Sequence, residues 1–227
     1  MSAEIERLGE MYGAWWIDFL GEHCHVGGEI ATRWLVDHAG LGAGDRVLDA
    51  GAFVGAAARL VASSTAAKVV ATDANREFLV TGRGMPGGAG VRWVTAANHR
   101  LPFADGTFTS VWCLDAYVAP REFSRVAASA ASLCLCTDTP DDGRGGAESF
   151  VEEWAEFGWR MTAHRPLTGE AVQAWQHAEA NMVGRRSFYE PRYGKRSYLM
   201  QLDQVAELVR SYSMHERGHA LFVFRRG

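Results

Sequence analysis

The stretch Val47-Leu48-Asp49-Ala50-Gly51-Ala52-Phe53-Val54-Gly55 decides the fold of this 227-residue chain. It begins as an apolar strand, bends through a glycine-containing turn and continues into a run with helical spacing. Such a turn brings backbone N–H groups and a helix N-terminus toward a ligand, and glycine removes the side chain that would block close approach. The next apolar run, Lys68–Thr72, is followed by Asp73, 24 residues after Asp49. A carboxylate at that strand end can accept both hydroxyl hydrogens of a ribose. A glycine turn by itself is weak evidence; one set between strand and helix, with an acid closing the next strand, is much better evidence.

Outward from this core the pattern alternates. Short apolar runs at Arg46–Leu48, Lys68–Thr72, Val91–Thr95, Ser110–Cys113 and Leu133–Thr137 read as strands buried on both faces. Helical spacing lies between them at Gly55–Ser63, Asn75–Gly82 and Arg121–Ala131. Two further strands, Trp159–Arg165 and His219–Phe224, bring the number to seven. The fold expected is α/β, a doubly wound, mostly parallel, Rossmann-like sheet. A helical cap (residues 1–40, with helices in Ile5–Leu20 and Glu29–Ala39) precedes it. A helical insertion at 166–218, with helices Gly169–Val183 and Ser197–Met214, is too long for a simple connection and reads as a lid. Thr139–Gly146 reads as an exposed turn, and the chain as one domain, 1–227.

Composition narrows the partner. The chain is 48% hydrophobic and 22% charged, which suits one compact core, and its net charge of −4 comes without the basic stripe of a nucleic-acid binder. No apolar run has the length of a membrane span, and the acidic start lacks a signal peptide's pattern, so the cytoplasm is expected. Cys24, Cys113, Cys134 and Cys136 show no zinc spacing, and Cys113, Cys134 and Cys136, in strand-like runs, read as reduced core residues; His23 and His25 lack a third ligand in sequence, and no metal is expected.

With these residues in view, the stretch 47–55 resembles motif I of the class I S-adenosylmethionine (SAM) dependent methyltransferases, a strand running into D-x-G-x-G-x-G. Val69-Val70-Ala71-Thr72-Asp73 resembles their second motif, and Asn98–Phe108 the L-P-F-x-D-G-S-F-D stretch that leads into their fourth strand. Phe19–Gly27 is similar to the W-G-E-x-x-H-x-G stretch of sarcosine/dimethylglycine, tocopherol-type and other natural-product members. The resemblance implies the class I strand order, SAM as cofactor and a small-molecule acceptor, amino-acid-like or a natural product, methylated at N, O, S or C. It places Asp49, Ala50, Gly51, Gly55 and Leu114 by the methionine part, Asp73 and Ala74 by the ribose, Asn98 or His99 by the adenine, and Tyr12 over the cofactor. His25, Asp115 and Tyr117 are the candidates for acceptor contact or catalysis, in a monomer or homodimer. This chain departs from the pattern at Phe53 (usually the middle glycine), Ala97 (usually an acid), Ala119 (often His) and Ala127–Ser132 (usually a Pro-Gly-Gly turn). Those departures keep two other outcomes open: non-methylating use of SAM, such as cyclisation releasing methylthioadenosine, and a degenerate subunit that only binds.

Overall fold

A computed structural model describes residues 21–140 and 147–227. The expected helix within Ile5–Leu20, together with Tyr12, lies outside the described residues. Seven strands form one sheet: β1 (Arg46–Ala50), β2 (Lys68–Asp73), β3 (Val91–Thr95), β4 (Phe108–Leu114), β5 (Ala127–Pro140), β6 (Trp159–Pro166) and β7 (Arg217–Arg226). Their order is β3-β2-β1-β4-β5-β7-β6, parallel except for β7, which runs antiparallel to both β5 and β6. The order reverses between β1 and β4, so a crevice opens beside the carboxyl end of β1, where doubly wound sheets bind ligands.

The described helices are α1 (Gly28–Ala39), α2 (Ala56–Ser64), α3 (Arg76–Gly84), α4 (Pro120–Val126), α5 (Ala147–Ala155), α6 (Thr168–Gly184), α7 (Arg186–Tyr193) and α8 (Lys195–Ser213). Alternation along the strands builds two cores. Val47, Val69, Trp112, Cys134 and Val223 face one side, against Leu35 of α1, Val61 of α2 and Ala171 of α6. Leu48, Val111, Leu133 and Phe222 face the other, against Phe123 of α4 and Trp154 of α5. Both faces of the central strands are thus dry, which is why their sequences are continuously apolar instead of alternating.

Three departures from the sequence expectation have clear causes. Helical spacing runs to Ala131, but α4 stops at Val126 and Ala127 already pairs with Phe108 as part of β5. Alanine favours helix locally, but pairing of Ala127 with Phe108 and of Ser132 with Ser110 and Arg225 overrides that preference. Helix α5 fills a stretch to which the sequence pattern assigns no element; its amphipathic face buries Trp154 against β6. The insertion holds a third helix, α7, despite Pro191 within it.

Glycine matters structurally at Gly55, which caps α2 in the left-handed region at φ +67° and lies against the Trp93 ring. A Cβ there would overlap that ring. Gly55→Ala should therefore cost about 1–3 kcal/mol in urea unfolding, whereas Gly44→Ala, with open space around it, should cost little; equal effects would contradict the packing described.

Candidate functional site

The end of β2 shapes the turn after β1. Gly51 and Ala52 donate their N–H groups to the Thr72 carbonyl at 2.9 and 2.8 Å, and Phe53 donates to Asp73 Oδ2 at 3.0 Å. Gly55 N–H donates to the Ala52 carbonyl. The turn therefore uses these N–H groups internally and does not present them to a ligand, contrary to the sequence expectation. Asp73 Oδ1 accepts from Asn75 N–H at 2.8 Å, so each carboxylate oxygen is fixed by one backbone bond and keeps further acceptor capacity.

A cavity of about 480 Å³ opens at this point, within the range of small-molecule sites. Asp49, Gly51, Asp73, Ala74, Asn98, His99 and Leu114 line it, as do His25, Asp115 and Tyr117. The structure thus brings together ten of the residues singled out by the sequence. Ala50 and Gly55 stand apart from its wall: Ala50 is buried on the opposite face of β1, and Gly55 serves the Trp93 contact.

Asp49 is buried and its Oδ2 accepts from Ala58 N–H in the first turn of α2. Burial pushes its carboxyl up to about 7, against the lowering effect of that hydrogen bond. Asp73 is also raised by burial. His25 is pushed down to about 4, chiefly by burial, and both ring nitrogens are engaged, with the Val26 carbonyl at 3.0 Å and Thr32 Oγ1 at 2.9 Å. That neutral, anchored ring fixes the 21–28 loop. Asn98 donates its amide to the Tyr117 carbonyl at 2.8 Å, which ties together the loops after β3 and β4 and leaves His99 on the open part of the wall. Tyr117 is half exposed at the rim.

Several further wall residues lie outside the motifs, Tyr212, His219 and Gln204 among them. Tyr212 ends α8 and His219 lies in β7; both are buried. Tyr212 Oη is 2.8 Å from His219 Nδ1, and His219 Nε2 is 3.0 Å from Asp115 Oδ1. Burial alone would raise the Asp115 carboxyl, but His219 and the Val26 N–H outweigh it and hold the group below the usual range. Burial, then Asp115 and Asp138, pushes the Tyr212 phenol up. Gln204 of α8 brings a buried Oε1 with no hydrogen-bond partner among the described residues. Cys24 is half buried at the wall, with its thiol raised to about 12 by burial. The one sequence signal for His219 is its place at the start of a strand.

Phe53 explains the departure from the middle glycine. Its backbone is left-handed, φ +54°, a conformation that costs a residue with a side chain about 1–3 kcal/mol. Its ring packs on Phe78 at 4.5 Å and joins a cluster with Ala178 and Met182 of α6 and Tyr198 and Val205 of α8. The side chain thus fastens the helical insertion onto the turn.

A seven-stranded sheet in this order, with an acid-lined crevice at β1 and β2, defines the class I methyltransferase fold. Residues 47–134 match the family described as a methyltransferase domain. A ubiquinone/menaquinone biosynthesis C-methyltransferase, UbiE, of Desulfotalea psychrophila is 29% identical over 160 residues. That match covers 67% of this chain and 62% of the relative's length. Among solved structures, a candidate sarcosine dimethylglycine methyltransferase from Galdieria sulphuraria superposes with a TM-score of 0.83 at 12% identity, covering 96% of this chain and 97% of that one. The [4+2]-cyclase SpnF superposes with a TM-score of 0.73 at 18% identity, covering 86% and 79%. The fold is that of the class I SAM-dependent methyltransferases. The residues present fit that cofactor: the carboxyl groups of Asp49 and Asp73 line the cavity and could meet a cation and accept from hydroxyls, and the unpartnered Gln204 Oε1 could accept from an ammonium or hydroxyl donor. Among the described residues, no helix is long and apolar enough to cross a membrane.

The raised Asp49 carboxyl has a pH consequence. The folded protein keeps its proton up to about 7, while the unfolded chain releases it near 3.8. Its contribution to stability is therefore full below the unfolded value and is lost as pH rises toward 7. Asp49→Asn keeps an acceptor for Ala58 N–H and removes that loss. Thermal melts of the ligand-free protein should show the wild type losing more stability than the variant between about pH 4 and 7; parallel curves would contradict the assignment.

Proposed function

We propose that this chain transfers a methyl group from SAM to a small-molecule acceptor, amino-acid-like or a natural product. The observation that carries the reading is the Asp73 carboxylate, fixed by Phe53 and Asn75 N–H groups at the mouth of the cavity and still able to accept from a ribose. Asp49 and Leu114 border the methionine end, and His99 the adenine end. SAM, when bound, supplies a methyl carbon made electrophilic by the adjacent sulfonium, so the protein has to align a nucleophile and exclude water. Burial of Asp49 and Asp115 serves a cationic ligand, since a carboxylate in a poorly hydrated wall interacts more strongly than one in water. Trp175 and Leu208 of the helical insertion, with Phe78 of α3, form apolar parts of the wall and leave an acceptor of modest size the remaining volume. Similarity to a UbiE C-methyltransferase and to a sarcosine dimethylglycine methyltransferase fold supports the acceptor class.

Incubation with SAM and a panel of amino acids, amines, phenols and quinols, followed by mass spectrometry, tests this. S-adenosylhomocysteine should appear together with a species heavier by one methylene. Methylthioadenosine formed without any acceptor would instead establish cyclisation. Asp73→Ala should weaken SAM binding about 10- to 100-fold in calorimetric titration, the size of a lost charge-assisted pair of hydrogen bonds; undiminished affinity would overturn the ribose assignment.

A further inference from the structure

We propose that Tyr212 is the proton acceptor of the reaction, backed by His219 and Asp115 as positioning residues, and that the acceptor molecule's nucleophilic atom carries a proton when it binds. The inference rests on the methyl-transfer reading and adds a residue and a substrate class to it.

With the His219 ring neutral, the hydrogen-bond chain runs in one direction. Asp115 Oδ2 accepts from Val26 N–H at 2.8 Å, and its Oδ1 faces His219 Nε2 at 3.0 Å. An ionised carboxylate can only accept, so Nε2 carries the ring proton. Nδ1 then presents a lone pair, which the Tyr212 hydroxyl fills by donating across 2.8 Å. With its own proton committed, the Tyr212 oxygen can only accept, from the neighbouring Arg217 guanidinium and, at its remaining lone pair, from a further donor; Tyr212 lines the cavity. The same logic positions a nucleophile's proton in hydrolase triads, with Tyr212 in place of the serine.

The surroundings hold this chain in place. His219 N–H donates to Thr168 Oγ1 at 3.1 Å and its carbonyl accepts from Leu167 N–H at 2.7 Å. Asp115 sits in the left-handed region, φ +48°, and donates its N–H to the Cys136 carbonyl at 2.7 Å. Strained backbone in a non-glycine residue is concentrated where function over-determines it. The groups that face the relay are Cys136 from β5, with Sγ 3.4 Å from Nε2, Asp138 and Arg217 beside Tyr212, and His25 near Asp115. Asp115, Cys136 and His219 could also gather round a metal ion, but their polar atoms already satisfy one another.

The proton balance closes. The acceptor's X–H proton moves to Tyr212 Oη while the phenolic proton moves to His219 Nδ1. The electron pair left on X forms the X–CH3 bond, and the C–S pair remains on sulfur, which becomes an uncharged thioether. The positive charge lost from sulfur appears on the imidazolium, against the Asp115 carboxylate. An acceptor without a dissociable proton, such as a tertiary amine or thioether, has no use for this chain.

The test uses the full-length protein with SAM. Glycine and a catechol serve as proton-bearing probes; N,N-dimethylglycine and a dialkyl thioether serve as proton-free ones. Tyr212→Phe should bind SAM with unchanged Kd and methylate the proton-bearing probes about 100-fold or more slowly, with a rate that climbs steeply with pH where the wild type's is flatter. Asp115→Asn should invert the ring tautomer and lose activity comparably. Full activity of Tyr212→Phe, or methylation confined to proton-free probes, would overturn the proposal. So would a stoichiometric divalent metal lost on Cys136→Ser. Failure of SAM to bind would overturn the methyl-transfer reading instead. Independently of turnover, 15N spectra of the histidine-labelled SAM complex should show His219 protonated at Nε2 and bare at Nδ1; the opposite tautomer would overturn the relay.

Discussion

The carboxyl end of β2 fastens the turn that leaves β1. Thr72 supplies its carbonyl to two successive N–H groups of that turn, and Asp73 supplies a carboxylate oxygen to the third. Parallel strands cannot be joined by a tight hairpin, so nothing in the local chain forces their ends into register. These cross-strand bonds do so. They set the turn's shape, fix the rotamer of Asp73 and define where the crevice opens. The raised carboxyls of Asp49 and Asp73 follow from the same arrangement, since closing the turn over β1 and β2 removes water from both.

Phe53 shows how a departure from a family pattern can be accommodated and used. The turn demands a left-handed residue at that point, and glycine meets the demand without cost. Phenylalanine is strained there, yet its ring gains contact with Phe78 and with the insertion helices α6 and α8. The turn and the helical insertion thereby pack as one unit.

Local pattern made the central strands and their helices legible. Strands β1, β2, β4 and β5 are covered on both faces, and a short, continuously apolar run between turns suits that position. Pattern failed where alanine dominates: Ala127–Ala131 has helical composition, and only the neighbouring strands convert it to β5. Asp49, Asp73 and Leu114 were legible because each lies at or beside a strand end near the crossover. Tyr212 and His219 were not, since helix α8 and strand β7 enter the site from the far end of the chain. Gly55 illustrates the converse: a motif position readable in sequence whose structural partner is Trp93, not the cavity.

The most direct measurement is a crystal structure of the protein with bound S-adenosylhomocysteine. The nucleoside should lie in the β1–β2 crevice with both ribose hydroxyls about 2.6–3.0 Å from the Asp73 carboxylate. Density for the nucleoside elsewhere, or a ribose turned away from Asp73, would contradict the account at its root.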